Sequence, residues 1–148
     1  MDTGVYSLLI ELKKNQKIRV GNLGKFEFPK GFYIYTGSAM NSLEKRIDRH
    51  LRKNKKKFWH IDYLLSNKNA QIISILEIKT KKRIECELNK EIFKSLKGKI
   101  LIKKFGSSDC NCKSHLIYLG NKIQQNQIIF DEIVKRFNRF DSNLSSMV

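Results

Sequence analysis

The chain has 148 residues, with 30 Lys plus Arg against 14 Asp plus Glu and a formal net charge of +16. That length suits one domain, and a hydrophobic fraction of 41% is enough for one core, which excludes a chain disordered throughout. A pI near 9.9 points to a polyanionic partner, nucleic acid before membrane. No segment approaches the roughly 18–20 consecutive apolar residues of a membrane helix. The N-terminus lacks a basic region ahead of an apolar one, so no secretory signal is expected. Three cysteines, an odd number, fit a reducing compartment, so the expected location is cytoplasmic.

The first forty residues read as strands. Val5–Leu12, Lys17–Val20, Lys25–Phe28 and Phe32–Thr36 are apolar or alternating, and polar or glycine-bearing turns separate them. Such short connections predict antiparallel pairing. The period then lengthens. Asn41 or Ser42 can cap a helix with Leu43, Ile47 and Leu51 at a spacing of four. Phe58–Leu65 predicts a second helix and Ile72–Ile78 a buried strand. Ile84, Leu88, Ile92 and Leu96 mark one face of a third helix, closed by Gly98. Ile100–Ile102 and Leu116–Leu119 predict strands. Residues 121–139 carry Ile129, Ile133 and Phe137 on one helical face, and 141–148 predicts a frayed tail. One domain over residues 1–140 follows.

Two tripeptides stand out, Gly4-Val5-Tyr6 opening the first strand and Tyr35-Thr36-Gly37 closing a later one. Downstream come Leu43-Glu44-Lys45-Arg46 and then Glu87. This ordered set resembles the GIY-YIG nucleases. Gly31–Ala39, Arg46-Ile47-Asp48-Arg49-His50, Trp59–Leu64, Glu85-Cys86-Glu87-Leu88 and the stretch 105–116 resemble the small Uri-type subgroup. The resemblance implies an α/β (α+β) fold with a small, mainly antiparallel three-stranded central sheet flanked by helices. It also implies a metal-dependent endonuclease that hydrolyses phosphodiester bonds, with DNA favoured over RNA. The alternative is an inactive nucleic-acid-binding module or adaptor on the same scaffold.

By that resemblance Tyr6 takes the attacking water's proton and Tyr35 supports it and the phosphate. A phenol of pKa near 10 does this only with a cation or hydrogen bond beside it. Arg46 matches phosphate oxygens with its planar fork, and Glu87 carries one Mg²⁺ or Mn²⁺. Glu85, Glu87 and Glu91 compete for that role, and the Glu-Cys-Glu-Leu string selects Glu87. Tyr33 shares Tyr35's sheet face by alternation and serves as a control.

His50 follows Arg46 by one helical turn and could pass a proton or bind phosphate, against the plain reading of a surface histidine. His60 reads as a partly buried structural histidine. Cys110, Cys112 and His115 could hold zinc with a fourth ligand from Cys86, His60 or Asp109. The single-residue spacing between the cysteines favours a bracing turn instead. The run containing Lys45, Arg49, Arg52, Lys53, Lys55, Lys56 and Lys57 has one acid, Asp48, and could track a nucleic-acid backbone, joined by Lys79, Lys81, Lys82 and Arg83. Phe58 could stack on an unpaired base; Trp59 reads as core. The expected partners are DNA and a larger repair or processing complex, with no membrane.

Overall fold

The computed structural model describes residues 2–107, 110, 112–121, 135 and 144–147. Alternation in the first strands places them as expected: β1 is Gly4–Leu12, β2 Gln16–Val20, β3 Gly24–Phe28 and β4 Gly31–Ala39. After helices α1 (Leu43–Leu51) and α2 (His60–Leu65) come β5 (Ala70–Lys79), α3 (Glu85–Ser95), β6 (Leu116–Gly120) and β7 (Leu144–Met147). The main sheet is antiparallel with order β6-β4-β1-β5-β7, and β2-β3 form a separate hairpin.

The sheet therefore has five strands where three were expected. The extra strands, β6 and β7, cover the outer edges of β4 and β5, which would otherwise present unpaired backbone groups. Residues 144–147, expected to fray, pair with Ile75–Ile78. Residues 100–102 do not form a strand; Lys99 makes one isolated bridge to Tyr118 before the chain turns. The helix expected over 121–139 lies almost wholly outside the described residues. No helix among the described residues is long and apolar enough to cross a membrane.

Both sheet faces are covered. Tyr6, Leu8, Ile10, Tyr33 and Tyr35 join one core with Leu43 and Ile47 of α1 and Ile61, Leu64 and Leu65 of α2. Val5, Leu9, Ile34 and Ile78 join a second core with Leu88 and Ile92 of α3. Each aliphatic side chain so buried contributes about 1.5–3 kcal/mol.

Ser42 caps α1, its hydroxyl accepting from the Lys45 N–H at 3.2 Å. The buried stripe of this helix is Leu43, Ile47 and His50, while Leu51 is 51% exposed. At 100° per residue Leu51 stands about 80° around the helix from Leu43, and His50 only about 20°. The helical period thus turns a histidine, not a leucine, into the core.

One buried anion ties α1 to α2. Asp62 is fully buried and accepts two hydrogen bonds from the Arg49 guanidinium, at 2.8 and 2.9 Å. It also accepts from the backbone N–H groups of Phe58 and Trp59, each at 2.8 Å. Burial alone would raise its carboxyl pKa; the Arg49 and backbone donors hold it below the usual value. Asp62→Ala strips all four donors of their acceptor, and urea unfolding should register a loss of about 3 kcal/mol.

Candidate active site

The β1–β4 register sets Tyr6 opposite Gly37 and Leu8 opposite Tyr35. Period-two alternation then brings both phenols to one face, with ring centroids 6.5 Å apart. They open on a cavity of about 210 Å³ whose lining includes Arg46, Trp59, Glu85 and His115. Gly37 makes the arrangement sterically feasible: a Cβ there would lie 2.6 Å from the Tyr6 hydroxyl and 3.2 Å from the Tyr35 ring. Tyr33, on the same face, donates its hydroxyl to the Pro29 carbonyl and packs on Tyr118 instead.

Arg46 reaches the cavity from α1. Its guanidinium donates to the Ser38 carbonyl at 3.0 Å and lies 4.2 Å from the Trp59 ring centroid. Arg49 lies 4.3 Å from the same ring, so Trp59 is a platform for two cations rather than wholly core.

His50 is buried beneath Tyr6, its Nε2 2.7 Å from the phenol oxygen. Burial, reinforced by the nearby Lys55 charge, lowers its pKa from 6.5 to about 3, so the imidazole is neutral. His50 Nδ1 has no hydrogen-bond partner. We assign the proton to Nε2, because a buried orphan N–H is the rarer and costlier case than an orphan lone pair. His50 then donates to the Tyr6 oxygen. Burial pushes the Tyr6 pKa up to about 12, against the pull of the Arg46 charge. Tyr35 is raised further, by burial first and then by its neighbour Tyr6.

The carboxylate at the cavity is Glu85, not Glu87. Glu85 is the first residue of α3, lines the cavity, and has its Oε2 buried without a hydrogen-bond partner. Glu87 is exposed, because two residues along a helix turn a side chain by about 200°. Glu91 shares that outer face by helical spacing and is not among the lining residues. Arg83, read from sequence only as a backbone-tracking cation, also lines the cavity.

The basic run separates into two sets. Lys45, Arg52, Lys56 and Lys57 are exposed. Arg49 is engaged by Asp62. Lys53 donates to the carbonyls of Leu65, Asn67 and Ala70, and Lys55 to those of Arg49 and His50. The side chain of Lys55 is 3% exposed. Lys53 and Lys55 satisfy carbonyls left open at helix ends and in the following turn, Lys53 while remaining exposed. Phe58 is 78% exposed.

His60 accepts at Nδ1 from the Gly106 N–H at 2.8 Å, a structural role as expected. Cys110, Cys112 and His115 meet Cys86, and the four ligand atoms lie within 4.8 Å of one another. Asp109, the other fourth-ligand candidate, lies outside the described residues. Such a group could hold a metal ion, and its soft sulfurs favour zinc over magnesium. Burial, then the neighbouring thiols, push the Cys86 pKa up.

The fold and the cavity define a class: a small α+β protein that sets two tyrosines, an arginine and a carboxylate around one pocket, with a Cys₃His group at its wall. The chain belongs to the DUF123 family; the description "Domain of unknown function DUF123" covers residues 5–139. No curated protein and no solved structure matches it.

Neutral His50 has a consequence for stability. Unfolded, it takes a proton near pH 6.5; folded, only near pH 3, so the unfolded state binds more protons in between. Stability should fall as pH drops from about 6.5 toward 3, by at most about 1.4 kcal/mol per unit. Urea midpoints measured between about pH 7 and 5 should show this slope, and His50→Gln should flatten it.

Proposed function

We propose that this protein is a metal-dependent endonuclease that hydrolyses phosphodiester bonds, with DNA as the favoured substrate. The observation that carries the reading is the meeting of Tyr6, Tyr35, Arg46 and the orphan carboxylate of Glu85 on one cavity. Four residues from four separate elements offer the parts that such hydrolysis needs: proton acceptor, phosphate support, permanent cation and ion ligand.

The residues present fit a divalent ion. Glu85 Oε2 is buried without a partner in the structure, and Mg²⁺ and Mn²⁺ are suited to a single carboxylate completed by water. Bound there, the ion would supply positive charge to the phosphate and the leaving oxygen and draw down the pKa of the phenols. The remaining work belongs to the chain. Tyr6 keeps its proton at neutral pH when only Arg46 and His50 face it, so its ionisation needs further positive charge in the cavity. The ionised oxygen then accepts the attacking water's proton, while His50 Nε2–H holds that oxygen in place. Arg46, braced by Ser38 and Trp59, presents its remaining N–H groups to the phosphate. Tyr35 flanks Tyr6 and donates its hydroxyl to the same group.

Glu85→Gln should abolish Mg²⁺-dependent plasmid nicking while preserving DNA affinity, because the amide keeps the shape and removes the charge. Glu87→Gln should cut like the parent. Arg46→Ala should lower single-turnover cleavage by about 10²-fold and weaken binding as well. Tight DNA binding with no nicking in Mg²⁺ or Mn²⁺ by the parent would replace the enzyme with a binding module.

Duplex affinity should fall with salt at a log–log slope of about −0.9 per phosphate neutralised. Arg52→Ala, Lys56→Ala and Lys57→Ala together should make that slope shallower by up to about 3 × 0.9. An unchanged slope in filter binding would assign these cations to solvation alone.

A further inference from the structure

Behind the tyrosine cavity, three thiols and one imidazole converge from distant parts of the chain. Cys86 sits in the first turn of α3, directly after Glu85; Cys110 and Cys112 lie in the segment leading to β6; His115 immediately precedes β6. His115 Nε2 is 3.2 Å from Cys110 Sγ and 3.6 Å from Cys86 Sγ. In tetrahedral zinc sites, with Zn–S about 2.3 Å and Zn–N about 2.0 Å, neighbouring ligand atoms stand about 3.5–3.8 Å apart. Both distances from His115 are within about 0.3 Å of that spacing before any ion enters, and all four ligand atoms lie within 4.8 Å of one another.

The imidazole is also oriented for ligation. His115 Nδ1 lies 2.8 Å from the Thr36 carbonyl oxygen. A carbonyl only accepts, so Nδ1 carries the proton and Nε2 turns its lone pair to the sulfurs. A backbone carbonyl on the second nitrogen is the usual support of a zinc-bound histidine. His115 and Cys112 are each 3% exposed, so the centre is shielded on one side by the core.

We propose that Cys86, Cys110, Cys112 and His115 bind one structural zinc ion, and that this ion positions Glu85 and the end of β4. Four protein ligands complete the tetrahedron and leave no open position for water, so the zinc takes no part in hydrolysis. Its position gives it another role. Through Cys86 it anchors the first turn of α3, where Glu85 faces the cavity. Through His115 it reaches Thr36, the residue between Tyr35 and Gly37. His115 and Cys110 themselves line the cavity wall. The metal claim stands without the nuclease reading, and its readouts do not involve cleavage.

The test uses the full chain, purified and loaded with zinc. Metal analysis should find about one zinc per chain. Replacing it with Co²⁺ should produce the strong visible bands and sulfur-to-cobalt charge transfer of a tetrahedral thiolate site. Removing zinc with a chelator should lower the thermal midpoint by roughly 5 °C or more. Amide exchange should then quicken in residues 85–88 and 34–37 and remain unchanged in the β2–β3 hairpin. Cys112→Ser should lose most of the zinc. A chain that takes up no zinc, a weak cobalt spectrum of octahedral oxygen ligation, or full zinc content in Cys112→Ser would overturn the site. Zinc bound with exchange at 85–88 and 34–37 unaltered by its removal would overturn the positioning role. Should Cys112→Ser not fold, the cobalt spectrum of the parent decides.

Discussion

The pairing of Tyr6 with Gly37 across β1 and β4 is the constraint on which the cavity depends. Antiparallel register places the two residues face to face, and the missing Cβ lets the phenol lie across the neighbouring strand. Moving the register by one residue would send Tyr6 into the α3-facing core and separate it from Tyr35. Three other features meet at this pair: the imidazole of His50 below it, the guanidinium of Arg46 beside it and the α3 carboxylate opposite. Gly106 supplies a second close approach. It takes a left-handed backbone, φ +68°, and a side chain there would meet the Tyr35 ring at 2.9 Å.

A strongly basic chain has to keep its cations from crowding one another. Asp62 does much of this work by holding Arg49 and drawing Lys55 to 3.9 Å. Lys53 and Lys55 add their charge to helix-end carbonyls, where positive charge is favourable. With those cations engaged, Arg46 is the α1 guanidinium that reaches the tyrosines, with Trp59 as backing. The same crowding explains His50. Surrounded by burial and by Lys55, Arg46 and Arg49, it stays neutral and acts on Tyr6 through a hydrogen bond rather than a charge.

The Cys₃His group and the tyrosine cavity share a wall, not merely a neighbourhood. Glu85 and Cys86 are adjacent in sequence but face different partners, since successive helical residues diverge by about 100°. Thr36 likewise sits between two cavity residues while its carbonyl receives the His115 N–H. The cluster therefore touches both sides of the cavity, through the peptide link from Cys86 to Glu85 on one side and the His115–Thr36 hydrogen bond on the other.

Much of this was written in the local pattern. Period-two alternation marked β1 and β4 and put Tyr33 and Tyr35 on one face; the β1–β4 register then brought Tyr6 to that face. Ser42 and the change of period marked α1, and Ile84, Leu88 and Ile92 marked α3. The Tyr, Arg and Cys-x-Cys positions could be listed before any fold was known. Where the sequence went astray or stayed open was between near neighbours. Its local pattern selected Glu87 over Glu85 and set Leu51 on the buried stripe in place of His50. It left open which lysines reach solvent and whether Cys86 closes a cluster with Cys110 and Cys112. Backbone geometry sets the spacing of side chains along an element. The rotation of that element against the sheet is set by packing of residues far apart in the chain. Turning α3 so that Leu88 and Ile92 are buried leaves Glu85 over the cavity and Glu87 in solvent. Only that packing decided which carboxylate, which imidazole and which cations the site contains.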